Sequence, residues 1–163
     1  MEIQWKLSAF EELSTEELYE ILHLRQQVFI VEQQCIYQDC DGHDKKALHL
    51  VGWSNRAERP EPVAYLRILH PGKERIFPSV GRVLTHPDFR GKGLGREIMA
   101  RCLHTLEELY PELPVCISAQ QYLISFYESF SFRLSSNGYE EDGIPHIKMI
   151  RNPSGTDSTG CIG

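Results

Sequence analysis

The stretch Arg90-Gly91-Lys92-Gly93-Leu94-Gly95 constrains the chain more than any other. It joins an apolar run (Val80, Val83, Leu84) to an amphipathic one (Ile98, Met99, Cys102, Leu106, Leu109), so a strand must pass through a glycine loop into a helix. Glycine at every second position leaves the backbone open. Its N–H groups can then converge on an anion at the helix start. Arg90, Lys92 and Arg96 place positive charge at the same spot. The physical reading is a pyrophosphate cradle; the plainer one is a glycine-rich turn entering a helix.

Other phosphate motifs fit poorly. A Walker loop needs a Ser or Thr after its Gly-Lys pair to hold magnesium, and here Gly93 follows Lys92. A dinucleotide fingerprint needs Gly-x-Gly-x-x-Gly in an early strand–helix unit. Here the third glycine comes one residue too soon, and the loop lies past the middle of the chain.

The 163 residues suit one domain, expected over 1–151. The net charge of -6 argues against a general nucleic-acid binder, which would need clustered basic residues. It also suits a cationic substrate. No apolar run is long enough to span a bilayer. Met1-Glu2-Ile3-Gln4-Trp5 lacks the regions of a signal peptide, so neither a membrane nor nucleic acid is expected as partner, and the expected location is cytoplasmic. The cysteines (Cys35, Cys40, Cys102, Cys116, Cys161) are odd in number and scattered, which gives no disulfide framework. Cys35 and Cys40 lack the spacing and the second pair of a zinc site, and no metal is expected. Cys102 and Cys116 fall in apolar patterns as small core residues.

A short strand is expected over 3–6, and Ser14-x-x-Glu17 reads as a capping box with Ser14 as N-cap. Leu18, Ile21, Leu22, Val28 and Phe29 follow with helical spacing. Arg25 falls in that apolar stripe, either snorkelling or directed into a pocket. Residues 30–45 read as an irregular acidic stretch. Strands are expected over 47–54, 63–69, 79–85, 115–119, 132–136 and 146–151, with helices over 95–109 and 121–130. Residues 152–163 read as a flexible tail. Early hairpins and late strand–helix–strand crossovers predict an α/β chain with one mixed central sheet and helices on both faces.

At this point the residues resemble a family. Val83-Leu84-Thr85-His86-Pro87-x-x-Arg90-Gly91-x-Gly93-x-Gly95 is similar to the acyl-CoA signature of the GNAT N-acetyltransferase superfamily, with Thr85 in the place of a valine. Phe126-Tyr127-x-x-Phe130-x-Phe132 resembles its later Y-x-x-x-G-F element, with Ser131 in place of the glycine. A narrower resemblance is to the ElaA-type subfamily. It is carried by Leu24-Arg25, Val28-Phe29-x-Val31-Glu32-Gln33, Asp41-Gly42-x-Asp44, His49-Leu50, Tyr65-Leu66-Arg67, Gly81-Arg82-Val83, Ile117-Ser118-Ala119-Gln120 and Glu141-Asp142-Gly143-Ile144-Pro145-His146. The implied fold is a GNAT-like sheet of six to seven strands, splayed between the fourth and fifth.

The resemblance implies direct acyl transfer from acetyl-CoA to a primary amine of a small molecule, peptide or protein. The pyrophosphate would rest on Arg90, Gly91, Lys92, Gly93, Leu94, Gly95 and Arg96, and the pantetheine arm would pair with Val83, Leu84 and Thr85. A strand N–H near Leu84 would stabilise the developing oxyanion. Tyr127 stands where the family often places the acid for the leaving thiolate; an ordinary tyrosine pKa of about 10 keeps it protonated at neutral pH. An alkylamine with a pKa near ~10.4 needs a base. The strand before the cradle carries no carboxylate, so Glu32, His49 and His146 are the base candidates, in that order. Arg25, Glu32, Asp142 and His146 are the candidate acceptor-pocket residues, while His86 reads as a turn residue. The protein would act as monomer or homodimer. Two alternatives stay open: a non-catalytic acyl-CoA-binding module, and transfer of a larger acyl group.

Overall fold

Ser14 starts the first helix as its sequence requires. Its Oγ accepts the Glu17 N–H at 3.0 Å and the Glu17 carboxylate accepts the Ser14 N–H at 2.9 Å. A closed cap of this kind stabilises a helix by about 1 kcal/mol. The helix, α1 (Thr15–Arg25), then widens into a π-helical turn, Gln26–Glu32. There the Cys35 N–H reaches back five residues to the Ile30 carbonyl at 3.1 Å. The periodicity expected through Phe29 is therefore real, but its last part is not α-helical.

The computed structural model describes residues 2–154. Residues 155–163, with Cys161 and most of the expected tail, lie outside the described residues. The described chain forms two compact units, residues 2–69 with 81–103, and 70–80 with 104–154.

The first unit carries β1 (Ile3–Ala9), β2 (Leu48–Ser54), β3 (Glu61–Leu69) and most of β4 (Ser79–Thr85). β1–β2 and β2–β3 are antiparallel, and β3 neighbours β4. From Pro62 to Ile68, β3 is buried on both faces. One face meets α1 through Ile21, Leu24, Val28, Val51, Trp53, Tyr65 and Leu84. On the other, the Trp5 ring lies across Gly52, where a Cβ would come within 2.8 Å of it. Arg101 of α2 (Leu94–Leu109) stacks on that ring at 4.9 Å, so helices cover both faces.

The second unit holds β5 (Val115–Gln120), α3 (Ile124–Glu128), β6 (Arg133–Leu134), β7 (Tyr139–Glu141) and β8 (Ile144–Arg151). The start of β4 pairs in parallel with β5 over two positions, Ser79 with Cys116 and Val80 with Ile117. β8 is antiparallel to β5, β6 and β7. The hydrogen-bonded order reads β1-β2-β3-β4-β5-β8-β6, with β7 on β8. This is the expected mixed open sheet, and the two-residue β4–β5 ladder is where the splay was expected.

The sheet has eight strands, more than the six to seven expected, because Asp142 (φ +51) and Gly143 (φ +79) make a tight turn. That turn folds 139–141 onto 144–146 as a hairpin.

Candidate active site

The glycine loop is built from its flanks. After β4, His86 accepts the Asp88 N–H on Nδ1 at 3.1 Å and opens a single 3-10 turn, Pro87–Phe89. Phe89 is buried and anchors the loop. The Lys92 ammonium sits over its ring at 5.0 Å and the Arg56 guanidinium at 5.7 Å. Gly91 (φ +76) and Gly93 (φ +79) occupy the left-handed region, and a Cβ on either would meet nothing within 4 Å. Glycine is needed here for backbone conformation, and the space above the loop is open. α2 starts at Leu94, with the Glu97 N–H bonded to the Gly93 carbonyl at 3.0 Å. The N–H groups of Leu94 and Gly95 precede that bond, as the first N–H groups of a helix do. Such a helix start suits a diphosphate. Arg90 pairs with Glu32 at 2.7 Å, and both side chains are exposed.

Beside β4 lies a network that spans most of the loop between the π-turn and β2. Arg25, wholly buried, donates from Nε to Asp39 at 2.9 Å, from Nη1 to Asp44 at 2.7 Å and from Nη2 to the Asp39 carbonyl at 3.1 Å. Arg67 donates to Asp41 at 2.6 and 2.8 Å and to Asp44 at 3.0 Å. Arg82, at φ +54 within β4, donates to Asp39 Oδ1 at 2.7 Å and lies over the Tyr37 ring at 5.5 Å. Burial opposes ionisation of Asp41 and Asp44, yet the arginine contacts prevail and hold both below the ordinary carboxylate value. Burial likewise opposes charge on Arg25; its neighbours Tyr65, Asp44 and Asp39 more than compensate and raise its pKa.

His49 belongs to the same network. Its Nε2–H donates to the Asp44 carbonyl at 2.9 Å, and its Nδ1 accepts the Tyr65 hydroxyl at 2.7 Å. Burial lowers its pKa, and both ring nitrogens are engaged beneath the surface. The structure thus brings Arg25 and His49 together in a buried lattice, with Glu32 apart from them on Arg90.

In the second unit Tyr127 is buried on α3, edge-on to Phe126 at 5.1 Å and Phe132 at 6.0 Å. Ser131 takes φ +69, the left-handed value that a glycine adopts without strain. His146 and Asp142 fall on the β7–β8 hairpin, Asp142 in its exposed turn. The His146 Nδ1–H donates to the Ile144 carbonyl at 2.7 Å. Its Nε2 stands 3.7 Å from the Glu141 carboxylate, and Ser118 bonds both the Tyr139 hydroxyl and Glu141.

A strand entering a left-handed glycine loop at a helix start, in an open mixed sheet, is the arrangement the signature predicted. The model of the acetyltransferase (GNAT) domain matches residues 11–152. The chain belongs to the GNAT acetyltransferase family. A UPF0039 protein of Synechocystis is 45% identical over 150 residues, 92% of this chain and 96% of that protein. Protein ElaA of Escherichia coli is 42% identical over 151 residues, 91% of this chain and 96% of that protein. The ElaA crystal structure superposes with a TM-score of 0.84 at 41% identity, covering 93% of this chain and all of that one (100%). That of an acyl-CoA N-acyltransferase from Pseudomonas aeruginosa gives 0.85 at 38% identity, covering 92% and 99%. GNAT acyltransferases use an acyl-CoA donor and an amine acceptor, and this member is of the ElaA-like branch. Among the described residues, no helix of this GNAT chain is long and apolar enough to cross a membrane.

Arg67, Arg82, Ser118 and Glu141 of this GNAT chain carry the subfamily resemblance without a site role assigned from sequence, and Asp39 and Tyr139 have none either. A signal for the arginines existed: Arg67 and Arg82 interrupt apolar strands, and a buried arginine demands carboxylates. For Glu141 the signal was Asp142-Gly143, a hairpin turn that sets Glu141 beside the returning strand.

Proposed function

We propose that the chain is an acetyl-CoA-dependent N-acetyltransferase that transfers acetyl directly to a primary amine. The observation that carries this reading is the pair of exposed left-handed glycines, Gly91 and Gly93, that lead into the start of α2. The first-turn N–H groups there, with Arg90, Lys92 and Arg96 nearby, suit the diphosphate of CoA. Val83, Leu84 and Thr85 would hold the pantetheine arm by main-chain hydrogen bonds, and the strand N–H near Leu84 would stabilise the oxyanion. Bound acetyl-CoA supplies an activated thioester. Tyr127 would protonate the departing sulfur.

In this reading Arg25 and His49 support the site from beneath, since their polar atoms are committed to Asp39, Asp44 and Tyr65. Glu32 would help fix the cradle through Arg90. Asp142 and His146 would border the acceptor. We expect residues 1–151 to act as one transferase domain in the cytoplasm, as monomer or homodimer.

The test is acetyl-CoA turnover against a panel of primary amines and peptides, read as free-thiol release. Release that depends on amine supports the reading. CoA binding without release for any amine overturns it in favour of a binding module. A series of acyl-CoAs of increasing chain length then fixes the acyl group.

A further inference from the structure

β5 leaves its two-residue ladder with β4 after Ile117, so Ser118 is its first residue beyond the fork. In the β5–β8 and β7–β8 registers, Ser118 lies opposite Lys148, Gln120 opposite His146, and His146 opposite Tyr139. Alternation puts these side chains and Glu141 on one face, while Ile117, Ala119, Ile147 and Met149 are buried on the other. The chemistry-bearing face is thus held by a rigid antiparallel frame.

One contact on this face depends on where a proton sits. The carbonyl of Ile144 can only accept, so Nδ1 of His146 must carry its proton. In the neutral ring Nε2 is then a bare acceptor. It faces Glu141 Oε2, another acceptor, at 3.7 Å. That oxygen also takes the Ser118 hydroxyl at 3.3 Å, while Ser118 meets Tyr139. With Nε2 unprotonated, the two acceptors leave a place for a shared donor. A primary ammonium carries three N–H donors and a positive charge, and it satisfies both at once.

We propose that Glu141 and His146 bind and deprotonate the acceptor amine, with Ser118 and Tyr139 orienting the carboxylate and the ring. This rests on the transferase reading and names its missing base. His146 Nε2 takes one proton from R–NH3+, leaving R–NH2 held on Glu141. The nitrogen lone pair forms the C–N bond to the thioester carbonyl, and the C–S bond breaks with its electrons on sulfur. The sulfur takes a proton from Tyr127, which regains one from the former amine nitrogen through solvent. His146 then releases its proton. Net, R–NH3+ and the thioester become the amide, the thiol and one H+. The groups facing His146 are Gln120 on β5, Tyr139 and Glu141 on β7, and Lys148 farther along β8; the Gln121 side chain holds the His146 carbonyl at 3.1 Å.

The test compares wild type with Glu141→Gln, His146→Asn and Glu140→Gln, using acetyl-CoA with propylamine and a lysine amide. Asn keeps an N–H near the Nδ1 position and removes Nε2. Glu141→Gln is expected to raise the amine KM about tenfold while leaving the acetyl-CoA KM unchanged. His146→Asn is expected to lower kcat about hundredfold at neutral pH, with recovery as pH approaches the amine's own pKa. Glu140, opposite Pro145 on the other side of the hairpin, serves as the neighbouring-charge control and leaves both constants unchanged. A second readout needs no turnover: with CoA bound, propylamine is expected to shift the His146 ring NMR signals saturably. Tetramethylammonium, which has no N–H, is expected to leave them in place. Wild-type amine KM and pH profile in both folded variants would overturn the proposal. An inactive wild type would instead overturn the transferase reading, and the ring titration then decides this one: no shift with propylamine sinks it.

Discussion

Two regions gather the same kinds of residue and use them in opposite ways. The loop beside β4 brings Asp39, Asp41 and Asp44 against Arg25, Arg67 and Arg82, with His49 and Tyr65 attached. The β5–β7–β8 face brings together Glu141, His146, Ser118 and Tyr139. In the first, carboxylates and guanidiniums are paired and largely buried, although Arg67 Nε is left without a hydrogen-bond partner. In the second, the carboxylate is half exposed and stands 3.7 Å from an imidazole nitrogen. A closed network fixes shape, whereas an open one keeps valence for a ligand. Burial and the pairing of opposite charges, more than residue type, separate the frame from the proposed acceptor face.

The sharpest way to break this contrast is to open the closed network. Asp44→Ala leaves Arg25 and Arg67 without a shared partner and is expected to cost about 3–5 kcal/mol of folding stability, measured by urea denaturation. A loss as small as an ordinary surface change would place the network outside the frame. Tyr127→Phe is expected to lower kcat about hundredfold with the CoA affinity kept, read by thiol release and calorimetry. Unchanged kcat would remove Tyr127 from the proton path. Gly93→Ala forces a Cβ into a left-handed backbone, at about 1–2 kcal/mol, and is expected to weaken CoA binding without blocking the cradle sterically. Glu141→Gln, by contrast, is expected to shift stability by no more than about 0.5 kcal/mol, since it is a surface change.

Acid separates the regions again. His49, Asp41 and Asp44 have folded pKa values below their ordinary ones, so on acidification the unfolded chain takes up protons first. The stability they contribute is present at neutral pH and declines as pH falls. His49 starts the loss below about pH 6.5, and the aspartates add to it below about pH 4. Urea midpoints at pH 8, 6 and 4 check this; a midpoint that rises on acidification would contradict the burial of His49.

Much of the fold was legible because its signals are local. The capping box at Ser14, the bounds of β4 and the glycine loop into α2 each rest on a few neighbouring residues whose stereochemistry leaves little choice. The π-turn escaped because its apolar spacing resembles that of an α-helix. β7 escaped because no strand was expected between 136 and 146, although Asp142-Gly143 marked the turn.

What the chain determined unaided is its family, its sheet-and-helix order and the loop suited to a diphosphate, because backbone conformation there depends on glycine at given positions. What tertiary structure decided is the fate of the charges. Arg25 and His49 read as pocket and base, but Asp39, Asp44 and Tyr65 close around them in a buried lattice. Glu141 gained a role only when the hairpin brought its carboxylate within 3.7 Å of His146 Nε2. Such partnerships join segments that fold together only through long-range pairing, and no spacing in the sequence records them.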